Sequence, residues 1–269
     1  MSPQRCFLEC PPRVDITRLS GKLVVVEGPD SSGRSTHIAL LTSWLEEQGH
    51  AVTGVGIKRS TLVAPELDAA KKGNVLSFRT MSLFYATDFA DRLENEMVPA
   101  LRAGYVVLTD RYVYSLIGRA CVRGLCPEWM RKIYGFAVKP SAIYYLKISV
   151  ADLIPRVLAS GGFDYWESGA DYLRGDMYDC FVKHQTALLD QFEQMSEEFG
   201  FTSVDASRSI EETFDTLQKH IAGVVGDIAP IKPSKLLVEE PCPPRRQRAA
   251  ADSVSDLLRD FLSSLENDR

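Results

Sequence analysis

Gly28 and Gly33 bracket Pro29-Asp30-Ser31-Ser32, and Arg34-Ser35-Thr36 follow directly. Two glycines separated by four residues, with a hydroxyl residue two positions after the second, is the spacing of a P-loop. In such a loop the backbone N–H groups converge on phosphate oxygens, and glycine lets the main chain approach without a Cβ in the way. Gly28, Pro29, Asp30, Ser31, Ser32, Gly33, Arg34, Ser35 and Thr36 are therefore the candidate nucleotide-phosphate site. The pattern asks for lysine where this chain has Arg34. Arginine keeps a positive charge for the β- and γ-phosphates, but it is planar and bidentate where lysine is a compact point charge. Ser35 supplies the hydroxyl oxygen that a Mg²⁺ ion needs beside the phosphates.

A second chemical cluster closes a run of β-formers, Tyr105-Val106-Val107-Leu108-Thr109, with Asp110-Arg111-Tyr112. A carboxylate at that place orients Mg²⁺ or its waters, so Asp110 joins Ser35 as a candidate metal ligand. Arg111 sets a fixed cation towards a transferring phosphate; together with Arg34 and Asp110 it makes up the candidate catalytic set. The competing reading makes Asp110-Arg111 a structural pair at a strand end. Lys58-Arg59-Ser60-Thr61 is a basic patch in a chain of net charge −5, suited to an acceptor phosphate.

These residues need elements to position them. Lys22–Glu27 reads as a buried strand, and the residues after the loop, with Trp44 and Leu45, as a helix stopping near Gln48 before Gly49. Further strands are expected at 51–56, 105–109, 142–148 and 202–204, with helices at 64–72, 77–101, 151–158, 173–199 and 210–225. Short apolar strands alternating with helices indicate an α/β fold, a parallel sheet with helices on both faces. Ligands bind beyond the carboxyl ends of such strands, where Gly28, Arg59, Asp110 and Arg111 all fall.

Beyond this domain, expected over 22–228, residues 1–21 form an arm without clear pattern and 229–249 a flexible Pro/Arg-rich linker. Residues 250–269 carry Val254, Leu257, Leu258, Phe261, Leu262 and Leu265 at helical spacing, an amphipathic helix that packs on its own domain or docks on a partner. The acidic net charge argues against nucleic acid, and the lack of a long apolar run argues against a membrane span. Six cysteines without a C-x-x-C pair read as reduced thiols of a cytoplasmic protein.

Taken in order, the motifs of residues 22–225 resemble the thymidylate kinase family of nucleoside monophosphate kinases. The resemblance implies a five-stranded parallel P-loop NTPase-type sheet, frequent homodimers, ATP and Mg²⁺ as cofactors, and nucleotide substrates. It implies that Asp30 meets the acceptor sugar, Arg59 the acceptor phosphate, and Tyr85 of Phe84-Tyr85-Ala86-Thr87-Asp88 the acceptor base. Asp110-Arg111-Tyr112 matches a family motif serving Mg²⁺ and phosphates, which adds Arg111 and Tyr112 to the acceptor set. Gly161–Gly169 resembles the lid, with Glu167 matching its aromatic-Glu ending. Two positions depart. Phe89 stands where the family has a base-contacting arginine, with Arg92 one helical turn on as the candidate acceptor contact in its place, and Tyr165 stands where a lid arginine would be. The expected activity is ATP-dependent phosphorylation of a (deoxy)nucleoside monophosphate, dTMP first. The alternatives are a catalytically weakened nucleotide-binding module acting through its C-terminal helix, and a kinase with a different small acceptor.

Overall fold

The computed structural model describes residues 6–10, 16, 19–56, 60, 63–73 and 76–228. Arg59, the linker 229–249 and the helix expected over 250–269 lie outside the described residues. Five parallel strands, β1 (Lys22–Glu27), β2 (Val52–Gly56), β3 (Val106–Asp110), β4 (Ala142–Lys147) and β5 (Thr202–Asp205), form one sheet in the order β2-β3-β1-β4-β5. Side chains alternate across it. Leu23, Val25, Val107, Ile143 and Tyr145 enter one core, while Val24, Val26, Val106, Leu108, Tyr144 and Leu146 enter the other. Both faces are apolar, so the inner strands β1, β3 and β4 read as continuous hydrophobic runs rather than alternating ones.

The register decides where chemistry can gather. Asp110 lies opposite Val26 of β1 on one side and Gly56 of β2 on the other. The carboxyl ends of β1, β2 and β3 therefore lie side by side at one edge of the sheet.

The connecting helices are α1 (Arg34–Glu47), α2 (Ala64–Gly73), α3 (Phe78–Arg92), α4 (Val98–Arg102), α5 (Val113–Val122), α6 (Pro127–Ile133), α7 (Val150–Ala159), α8 (Met177–Phe199) and α9 (Ile210–Val225). The single helix expected over 77–101 is interrupted by a π-helical turn at Leu93–Met97 between α3 and α4. Pro99 explains it, since proline has no N–H to give the carbonyl four residues back. The helix expected from 173 begins at Met177, because the Asp176 carboxylate accepts from the Asp179 N–H at 2.9 Å and caps it there. The arm also contributes to the core: Cys6 bridges to Val138, and the Phe7 ring meets those of Tyr114 and Phe199 edge-on.

Candidate active site

β1 delivers the phosphate loop. Gly28 has φ 149°, and a Cβ there would come within 2.9 Å of Ser32 Oγ and 3.1 Å of the Leu146 carbonyl. Gly33, at φ 94°, turns the chain into α1 with a left-handed conformation. Arg34 opens the helix, and its guanidinium folds back into the loop, where it is 6% exposed. It donates to the Gly28 and Pro29 carbonyls, to Asp110 Oδ1 at 2.7 Å and to Asp30 Oδ1 at 3.3 Å. Ser35 Oγ donates to the other Asp110 oxygen at 2.8 Å. The β3 carboxylate thus binds the first two residues of α1 at once, joining the two motifs separated by 75 positions. Thr36 is exposed, and Ser31 Oγ lies 3.5 Å from Ser160 Oγ beside the lid glycines.

Asp30 is the hub of a cationic cluster. Arg34, Arg111 and Arg119 all pair with its carboxylate. Arg111 reaches it from a left-handed backbone, φ 70°, fixed by its N–H on the Val26 carbonyl at 3.0 Å. Burial, together with the like charge of Arg119, lowers the Arg111 pKa to about 10, which leaves a cation at neutral pH. Glu27, fully buried at the end of β1, accepts from the Tyr112 N–H at 2.7 Å, the Ser115 N–H at 3.3 Å and the Ser115 hydroxyl at 2.5 Å. Its carboxylate anchors the positive end of α5, and burial raises its pKa.

Beside this cluster lies a cavity of about 330 Å³ whose walls include Phe78, Tyr85 and Trp166 on the aromatic side and Arg111, Arg119, Arg123 and Glu167 on the polar side. Arg119 and Arg123 were not anticipated from the sequence. Their signal was available: two arginines four residues apart on the helix that follows Asp110-Arg111 share one face. Arg119 pairs with Glu167 at 2.8 Å, and Arg123 with Asp171 at 2.7 and 3.1 Å. Burial works against the Arg119 charge, but Glu167 beside it tips the balance and the pKa rises.

Of the expected acceptor residues, Tyr85 and Arg111 line this cavity and Asp30 pairs with two arginines on its wall. Tyr112 lies elsewhere, 1% exposed in the core with its hydroxyl donating to the Val138 carbonyl at 2.8 Å. Phe89 packs edge-on against Tyr112 and Tyr134, with ring centroids 5.2 and 5.8 Å apart. Arg92 is buried, pairs with Glu96 at 2.9 Å, and lines a separate small recess with Phe89. Arg59 falls outside the described residues, but its neighbour Ser60 is fastened to α3, its N–H donating to Asp88 at 2.9 Å and its hydroxyl to Asp91 at 2.5 Å. Tyr165 is exposed and meets Trp166 edge-on at 5.8 Å, while Glu167 reaches inward.

The family model for thymidylate kinase matches residues 26–217, a span containing every described residue of this site. Relatives agree. A protein named probable thymidylate kinase 2 from Saccharolobus solfataricus is 32% identical over 75% of this chain and 95% of its own length. A probable thymidylate kinase from Pyrococcus abyssi is 33% identical over 74% of this chain and 95% of its own. The thymidylate kinase of Caldicellulosiruptor saccharolyticus is 29% identical over 76% and 97%. The sheet, the phosphate loop joined to Asp110 and these full-length similarities agree: the chain belongs to the thymidylate kinase family.

Proposed function

We infer that this chain transfers the γ-phosphoryl group of ATP to dTMP, giving dTDP. The observation that carries the reading is the joining of the phosphate loop to Asp110 beside an arginine- and aromatic-lined cavity, in a chain of this family. The phosphate loop is the donor side. The cavity suits the acceptor: Tyr85 and Phe78 offer flat apolar faces to a base, and Arg111 offers charge to its phosphate.

Phosphoryl transfer asks the protein for alignment and for cations where charge develops. Arg34 and Arg111 both pair with Asp30 between the two sides, so they serve donor and acceptor phosphates from one ion cluster. Donor phosphates compete with the Gly28 and Pro29 carbonyls and with Asp30 for the Arg34 guanidinium. Ser35 Oγ and Asp110, 2.8 Å apart at the loop, fit a Mg²⁺ site. One hydroxyl and one carboxylate, completed by nucleotide phosphates and water, is how that ion is usually held. Among the described residues no cluster of three or more His, Cys, Asp or Glu side chains could hold a metal on its own. Bound there, Mg²⁺ would neutralise charge on the β- and γ-phosphates. The Gly161–Gly169 segment shields the site from water. A weakened nucleotide-binding module is the less favoured reading, given the gathered site and the full-length relatives.

A coupled assay of ADP formation with dTMP, dUMP, dCMP, dGMP and AMP tests this directly. Turnover is expected to be highest with dTMP and to require Mg²⁺; none above background with any monophosphate sinks the reading. Three further proposals travel with it. A homodimer, and docking through the tail, are read by sedimentation velocity on the full chain and on a chain ending at residue 228. A cytoplasmic location, supported by five free cysteines among the described residues, is read by cell fractionation.

A further inference from the structure

Arg119 lies in the last turn of α5 and Arg123 at its C-cap, four residues on, and Glu167 and Asp171 lie four residues apart after Gly161 and Gly162. They meet as two rungs, Arg119 on Glu167 at 2.8 Å and Arg123 on Asp171 at 2.7 and 3.1 Å. Arg123 also donates to the Trp166 carbonyl at 2.8 Å, and Gln185 of α8 donates to the Glu167 carbonyl at 2.8 Å. The residues from Trp166 to Asp171 are therefore fastened to α5 on one side and α8 on the other. Arg119 extends the ladder further, through its second terminal nitrogen to Asp30 of the phosphate loop. One guanidinium thus ties together the phosphate loop, α5 and the lid segment, whose contacting residues lie 89 and 48 positions away.

Consider what two carboxylates held this way can recognise. They repel a phosphate or a carbonyl and accept from hydroxyl donors. Arg111, suited to a phosphate, itself pairs with Asp30, and on a nucleotide the donor nearest the phosphate is the sugar hydroxyl rather than the base N–H held against Tyr85. A carboxylate already held in place loses little freedom when the ligand arrives, which favours affinity.

We propose that Arg119 is a positioning residue for the acceptor monophosphate: its fork fixes Asp30, the residue already expected at the acceptor sugar, and holds Glu167 beside it. The proposal rests on reading the cavity as the acceptor site. It requires the arginine fork itself, because a lysine ammonium is a point charge that cannot bridge two carboxylates in fixed planar geometry.

The test compares wild type with Arg119→Gln, Arg119→Lys and Glu167→Gln, measuring dTMP affinity by calorimetry and KM for dTMP and for ATP. Arg119→Gln is expected to weaken dTMP by about tenfold or more while the ATP KM stays within about twofold, with Arg119→Lys recovering only part of the loss. Glu167→Gln removes one of the two carboxylates from the lid side and is expected to show the same selective loss, so the proposal stays testable if Arg119→Gln does not fold. Unchanged dTMP affinity, an equal loss for both nucleotides, or full rescue by lysine overturns it. If wild type binds dTMP without phosphorylating it, the kinase reading fails while this one is still decided by the binding shift. If wild type binds none of the monophosphates of the assay panel, both fail.

Discussion

Arg34 stands where the P-loop pattern asks for lysine, and its fork shows what that difference does. A lysine cannot donate simultaneously to two loop carbonyls, Asp30 and Asp110 in the way this guanidinium does. Arg34 therefore organises the loop as well as supplying charge to it. Arg34→Ala is expected to lower kcat/KM for ATP by about 10²-fold or more, the range seen when one charge-stabilising donor is removed from a reacting centre. Steady-state kinetics at saturating dTMP check this, with circular dichroism confirming that the fold is kept. At this scale the sequence was readable in part. The Gly28–Thr36 and Asp110-Arg111 roles could be proposed because their spacing encodes local geometry. Arg92 and Tyr112 do not line the cavity, because facing it depends on packing: Tyr112 sits in the aromatic core around Phe89, and Arg92 pairs with Glu96.

Among elements, the junction of β1 with α5 is the one on which the site most depends. Glu27 joins them, accepting two backbone N–H groups and a hydroxyl at a helix start with no side-chain cap of its own. Glu27→Ala leaves those buried donors unmatched and is expected to destabilise the fold by about 3 kcal/mol, read by urea denaturation. Loss below about 1 kcal/mol would show that water replaces the carboxylate. The inner strands β1, β3 and β4 were legible because a doubly covered sheet writes itself as apolar runs, while the edge strands β2 and β5, VTGVG and TSVD, were placed by their positions between helices. The π-turn before Pro99 and the late start of α8 were not, since hydrophobic periodicity continues through both and only hydrogen-bond geometry separates them. The ladder between α5 and the lid segment was equally hidden: its partners are 48 residues apart in sequence, and charge alone does not say which arginine meets which carboxylate.

The whole molecule carries an acid limit. His184 on α8 is fully buried against the Tyr172 hydroxyl, 2.9 Å from its Nδ1, and burial with the nearby cations Arg123 and Arg119 lowers its pKa from 6.5 to about 3. The fold favours the neutral ring, while the unfolded chain takes up a proton below about pH 6.5. His184 therefore adds stability above that pH and loses it as pH falls towards 3. Between pH 7 and pH 5 the loss from this residue alone is expected to be about 2 kcal/mol. Thermal melts across that range should show it, and His184→Gln should flatten the dependence. A slope unchanged by the substitution would assign the acid sensitivity elsewhere. Trp166, in the wall of the cavity proposed for the acceptor, gives the molecule something else as well. Trp44 packs with the core on the α1 side, and Trp129 of α6 lies under Arg79 of α3, and neither lines that cavity. With those two replaced by phenylalanine, Trp166 would be the lone tryptophan, excited apart from the ten tyrosines at the red edge of their absorption, and an optical gauge of cavity occupancy that works with no turnover at all.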